Sequence, residues 1–382
     1  MRVIDADGHV EESVATFSDQ YLDPAFRSQR PQVMGADGLA YWMIEEQLFP
    51  RRVGRGCHNL GTPVSYGGKL AKHSIDKPDT RESMELSDIR ARLQAMDEEG
   101  IAAQVIYPTL FLAYPLSSNP ALATALTTAY NRFMGDRLAG QERLMWAAVV
   151  NLDDVAASAR QVHEAKRLGA SAVMVLGTAG DRLLDDESLL PFYEAVAQEN
   201  LALAVHVGWA CPPLSNLYTH IYPSGVIPFC MPVLMGFVAI LSGGILDRFP
   251  DLKVVFLEAG SLWIHFLVDR LQHRFKNSLA KVVPQAAPKA AHPPLEYIRR
   301  GNLYFSAEIE DALLPQVIEL VGEGQIVFGS DMPHGDRERF AARMLQERAD
   351  LSSSAKVCIL EKNPARLYGI NEQELARLAQ AV

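Results

Sequence analysis

Between Asn200 and Leu246 the chain carries no Asp, Glu, Lys or Arg. Cysteine is also scarce: Cys57, Cys211, Cys230 and Cys358 are far apart and form no C-x-x-C pair. That spacing excludes a disulfide-stapled scaffold and a zinc ribbon, and reads as buried thiols in a reducing compartment. No block of Lys or Arg exists, and 46 acids against 36 bases leave a net charge of −10. Both observations exclude the footprint of a nucleic-acid binder or of a surface drawn to anionic lipid. The opening residues, Met1 to His9, place two acids where an export signal needs an apolar run, so no such signal and a cytoplasmic location are expected. With 48% hydrophobic and 21% charged residues the chain has enough apolar material for a large core, which excludes disorder.

The uncharged stretch includes Val226–Leu246, long enough on length alone to suggest a membrane span. Pro228 and Pro232 interrupt its start, Gly243 and Gly244 loosen its end, and no Lys/Arg cluster flanks it. A helix buried between the core and an interface or substrate mouth is the expectation, with no membrane partner.

Short apolar runs alternate with longer amphipathic ones along the chain. Val3–Asp7, Ile101–Tyr107, Met145–Val150, Ala172–Leu176, Leu201–Val207, Lys253–Leu257, Leu303–Phe305 and Ile326–Phe328 read as strands. Ser87–Glu99, Pro120–Leu138, Val155–Leu168, Leu189–Glu199 and Leu313–Val321 read as helices between them. Strands apolar on both faces mark a covered parallel sheet, and eight strand-plus-helix units predict an α/β (β/α)8 TIM barrel. Residues 1–382 are read as one such domain. The length beyond about 250 residues is assigned to a long loop after the first strand (Glu11–Met84), the uncharged segment 200–246 and extra C-terminal helices.

The ends of these runs carry chemistry-bearing side chains. Asp7 and His9 close the first strand on one face, His206 the fifth and Glu258 the sixth, while Asp331 follows the eighth in FGSDMPH. A barrel gathers the C-terminal ends of its strands on one face, so these five should converge. Each alone has a plainer reading: a polar turn for Asp7-Gly8-His9, a hydrogen-bonded core imidazole for His206, a helix cap for Glu258 or Asp331. Together, Asp7, His9, His206 and Asp331 form a mixed oxygen and nitrogen set suited to one divalent ion, Zn²⁺ first, with Mn²⁺, Fe²⁺ or Co²⁺ compatible. Such an ion activates water or polarises a substrate oxygen, so hydrolysis and carboxyl loss are both open. Glu258, Asp331 and His206 are the catalytic candidates. Arg51, Arg52, Arg55 and His58 in the long loop, Trp209 beyond the fifth strand and His334 beyond the eighth are the substrate-binding candidates.

The order DxDxH, HVG, GGxLxRFPDLKVVFLE, FGSDMPH and NPARLYG, running from Asp5 to Gly369, resembles the amidohydrolase superfamily in its 2-amino-3-carboxymuconate-6-semialdehyde decarboxylase branch. The resemblance implies a single divalent metal in a barrel, a homodimer, and hydrolysis or non-oxidative decarboxylation of small, often aromatic, acids. It implies Asp7 in place of the first metal His, and His9, His206 and Asp331 as the other ligands, with Asp331 also moving a proton. It implies an Arg of the long loop on a substrate carboxylate. One position departs: decarboxylases of the branch usually carry a catalytic His where this chain has Glu258. An ionised Glu repels a substrate carboxylate and can act as base toward water, so metal-dependent hydrolysis is the leading expectation and decarboxylation the alternative. A catalytically silent, ligand-binding barrel is the third, and needs a broken metal set.

Overall fold

The computed structural model describes all residues except 37–38, 60–78, 277–281, 336 and 379–382. The chain opens with β1 (Ile4–Val10), then forms a three-stranded antiparallel sheet from β2 (Gln32–Ala36), β3 (Leu39–Ile44) and β4 (Gln47–Phe49). Next come β5 (Ala103–Pro108), β6 (Leu144–Val149), β7 (Ala172–Leu176), a small hairpin of β8 (Thr178–Ala179) and β9 (Arg182–Leu183), and β10 (Ala202–His206). The last strands are β11 (Val254–Leu257), β12 (Leu303–Ala307) and β13 (Ile326–Phe328). Eight of them form one parallel sheet in the order β1-β5-β6-β7-β10-β11-β12-β13. Its two edges meet beyond β13. Gly8 bridges Met332 in parallel, His9 N donates to Met332 O at 2.6 Å, and Asp331 N donates to Asp7 O at 2.8 Å. The expected barrel is therefore present.

Burial explains why these runs are strands. Every residue of β1, β5, β7, β10, β11, β12 and β13 is buried, so each must be covered on both faces. Helices supply the outer cover, and short polar side chains start several of them. Asp88 accepts from Arg90 N before Ile89–Glu99, Asn119 from Ala121 N before Pro120–Arg137, and Asp154 from Ala157 N before Val155–Arg167. Extra helices follow β13, among them Ala341–Glu347, Asn363–Tyr368 and Glu372–Leu378.

The two additions to the barrel differ in kind. The region between β1 and its helix holds the β2–β4 sheet and a short 3-10 helix at Pro24–Gln29, so it is structured where described, while 60–78 lie outside the described residues. The uncharged segment contains a helix, Ile227–Ser242, extended at its start by Ile221–Ser224. Length and composition would let it cross a membrane, yet half of it is buried within the fold. Its Phe237 ring lies 5.0 Å from Trp263 and 5.3 Å from Phe256, at the end of β11. The helix packs on the barrel through these rings.

Candidate metal centre

The five strand-end residues do converge. His206 Nε2 lies 3.2 Å from Asp7 Oδ1 and 3.6 Å from Glu258 Oε2, and His9 Nε2 lies 3.4 Å from both Asp7 Oδ1 and Asp331 Oδ1. One ligand atom each from Asp7, His9, His206 and Glu258 fall within 4.8 Å of one another. A second such group, His9, Asp331 and His334, shares His9 with the first. Glu258 thus joins the tightest group, and Asp331 reaches it through His9. Asp331 is held in turn by His334, whose Nδ1 is 2.6 Å from Asp331 Oδ1 and whose Nε2 is 2.9 Å from Thr109 Oγ1.

Hydrogen bonding fixes which imidazole atoms face inward. His9 Nδ1 is 3.0 Å from Pro108 O and His206 Nδ1 is 3.1 Å from Val207 O, and a carbonyl can only accept. Each Nδ1 therefore carries the proton, and each Nε2 presents a lone pair toward the carboxylates. His9 Nε2 is fully buried and has no hydrogen-bond partner among the described residues. Burial, and next the His334 ring, lower His9, which keeps it neutral. A buried array of two nitrogen lone pairs and several carboxylate oxygens, without a donor between them, fits a divalent cation. The residues present suit such an ion.

Backbone strain marks the same place. Glu258 and Asp331 both sit at left-handed φ, 58° and 56°, which non-glycine residues rarely adopt and which clusters at functional sites. Glycine makes room where the strands close: a Cβ on Gly8 would meet Gln104 Cδ at 2.3 Å, and one on Gly329 would meet Asp7 Cβ at 2.7 Å.

Under the centre lies a buried polar network that sequence reasoning missed. Asp5 accepts from Ser330 N at 2.9 Å, Ser330 Oγ at 2.5 Å, Asp7 N at 3.1 Å and Gln104 Nε2 at 2.6 Å. Arg92 Nε donates to Gln104 Oε1 at 2.9 Å, and its Nη2 donates to His9 O at 2.9 Å and Met332 O at 3.1 Å. Burial pushes Asp5 up to about 6 and Arg92 down to about 10. This clamp ties β1 to the turn after β13 and so fixes the backbones of Asp7, His9 and Asp331. The sequence signal was Gln104, a lone polar residue inside the run IAAQVIY.

The remaining candidates are placed elsewhere. Arg51 is exposed and donates to Gln47 Oε1, Arg52 lies over the Tyr41 ring, and Arg55 Nε donates to Asn216 O. His58 is buried 5.5 Å from the Trp209 ring, and Trp209 Nε1 donates to Ser224 Oγ at 3.0 Å. Burial, then Arg51, lower His58 to about 4. These contacts seat the long loop on the uncharged segment. None of these five residues lines the 210 Å³ cavity that opens on Asp7, Glu258 and Asp331.

A closed parallel barrel with a metal-suited cluster at its strand ends defines the class as a barrel enzyme built around a divalent ion. The profile of the amidohydrolase family matches residues 79–370, so the chain belongs to that family and is an enzyme of hydrolase or decarboxylase type. It is 22% identical over 334 residues to a 2-amino-3-carboxymuconate-6-semialdehyde decarboxylase of Dictyostelium discoideum, covering 82% of this chain and 88% of that one. Among solved structures it is similar to an amidohydrolase of Mycobacterium avium subsp. paratuberculosis, with a TM-score of 0.76, 22% identity, and 96% and 99% of the two chains covered. It is also similar to a 5-carboxyvanillate decarboxylase of Novosphingobium aromaticivorans with bound manganese and 3-methoxy-4-hydroxy-5-nitrobenzoic acid, with a TM-score of 0.67, 16% identity and 97% of each chain covered.

Proposed function

We propose that the chain is a metal-dependent hydrolase of a C–N, C–O or C–C bond in a small, ring-bearing organic molecule. The convergence of the inward lone pairs of His9 and His206 with Asp7, Glu258 and Asp331 carries this reading. Asp7, His9 and His206 would hold the ion, with Glu258 and Asp331 as the neighbouring carboxylates; Zn²⁺ suits the donor set best, and Mn²⁺ is compatible. When bound, the ion supplies Lewis acidity that brings a water pKa toward neutrality and polarises a substrate oxygen. Asp331 Oδ1 takes the proton of the attacking water, and His334 holds that carboxylate in place from Nδ1. Asp331 then returns that proton to the leaving atom, with Glu258 at the same cavity. A cavity of 210 Å³ suits a small molecule.

Decarboxylation is the second reading, supported by the likeness to the two decarboxylases named above. In it Asp331 protonates the ring carbon that loses CO2. Turnover of a panel of aromatic acids, amides, esters and lactones in ¹⁸O-water separates the two: label in the product supports hydrolysis, and CO2 release without label overturns it. Protein purified without divalent metal and not restored by Zn²⁺ or Mn²⁺ overturns both. We also place the enzyme in the cytoplasm as a homodimer. Its four free cysteines support the first and the family resemblance the second; light scattering giving a monomer removes the second.

A further inference from the structure

We propose that the centre selects a substrate whose end remote from the ion carries a positive charge, an ammonium or amidinium group, rather than a carboxylate. This rests on the metal-site reading above and names the substrate class for it.

The cavity is graded in depth but not in sign. Asp7, Glu258 and Asp331 form its floor, half-buried Glu308 its wall, and exposed Glu310 and Glu338 its rim. The floor is a built site: His9 Nε2, buried and without a hydrogen-bond partner among the described residues, points between Asp7 Oδ1 and Asp331 Oδ1 at 3.4 Å from each. A divalent ion there does not neutralise the three floor carboxylates, and the wall and rim add further acids. Among the described lining residues only Arg337 is cationic. Its side chain is 2% exposed, with Nη2 2.9 Å from Asp79 Oδ2 and Nη1 3.4 Å from Glu99 Oε1, so two acids already neutralise it.

Glu308 shows how the wall responds to charge. Burial, then Asp311 and Glu310, push its carboxyl up to about 7, while Gly260 N donates to it at 3.0 Å. A cationic ligand stabilises its ionised form and relieves the repulsion among the acids, whereas an anionic ligand adds to that repulsion. Arg51 and Arg55, the carboxylate binders expected from sequence, are engaged with Gln47 and Asn216 and do not line this cavity.

Three hydroxamates test the proposal on metal-loaded protein by calorimetry: benzohydroxamate, its para-aminomethyl derivative and its para-carboxy derivative. All share the metal-binding head, so differences report the far end of the cavity. The aminomethyl compound should bind at least about tenfold more tightly than the carboxy compound. The gap should narrow with added salt and in Glu308→Gln, and also in the rim variant Glu310→Gln/Glu338→Gln, which alters only exposed side chains. Equal or tighter binding of the carboxy compound overturns the charge selection alone, as does a gap that both variants leave intact. If benzohydroxamate itself does not bind, the metal-site reading fails and this proposal with it.

Discussion

Two cavities open at the same end of the barrel. Where β5, β6 and β7 end, a 60 Å³ cavity is lined by Phe111, Leu116, Val149, Met174 and Leu176 with few polar groups. Where β1, β11, β12 and β13 end, the 210 Å³ cavity is lined by six carboxylates. The strands in both halves are parallel, buried and continuous in one sheet. What differs is the residue at which each strand stops: Val149 and Leu176 on one side, Leu257 before Glu258 and Phe328 before the turn to Asp331 on the other. The scaffold offers equivalent positions all round, and one half of it carries the carboxylates.

Substitutions on the two sides should therefore separate cleanly. The largest effect is expected from Asp331→Asn, which keeps size but removes the proton acceptor: kcat should fall by about 1,000-fold, and steady-state rates within tenfold of the parent would remove Asp331 from the chemistry. Arg92→Met breaks the clamp beneath the same half. It should cost about 3 kcal/mol in urea unfolding and weaken metal binding by roughly 10–100-fold; unchanged metal affinity would show that the clamp does not position the ligands.

A smaller effect is expected where the halves meet. Glu12 is buried there and accepts from Thr109 N at 3.2 Å and Leu110 N at 2.8 Å. Burial, against those backbone donors, pushes its carboxyl from 4.5 up to about 8. The folded chain then holds a proton that the unfolded chain has released. Its contribution to stability is present below pH 4.5 and is lost as pH rises through about 8. Glu12→Gln should abolish that slope and be the more stable protein at pH 9 by about 2 kcal/mol, as read from denaturation midpoints across the range; parallel pH profiles would refute it. The smallest effect has the opposite sign. Thr178 Oγ1, in the apolar cavity, is buried and without a partner among the described residues, so Thr178→Val should add about 1 kcal/mol and leave kcat unchanged. Loss of activity in this variant would mean that the apolar half contributes to the chemistry.

The eight strands were legible in the sequence because strands covered on both faces are written as unbroken apolar runs. Asp7, His9, His206, Glu258 and Asp331 were legible because they stand where those runs stop. Their grouping was not. Glu258 joins Asp7, His9 and His206, while Asp331 pairs with His9 and His334, and this depends on the closure between Gly8 and Met332, a contact across almost the whole chain. Arg92 was hidden for a related reason: an Arg on an amphipathic helix reads as solvent-facing, and only docking against Gln104 and Met332 O makes it buried. The seating of His58 against Trp209 joins two segments about 150 residues apart that no local period connects.

The left-handed backbone at Glu258 and Asp331 also limits what laboratory evolution can install there. Val, Ile and Thr are poorly admitted at such φ values, whereas Asn, Asp and His are among the side chains that tolerate them. Position 258 can thus exchange its carboxylate for the imidazole expected from the family resemblance without rebuilding the strand end. A library confined to that codon samples a change of proton chemistry on an unchanged barrel.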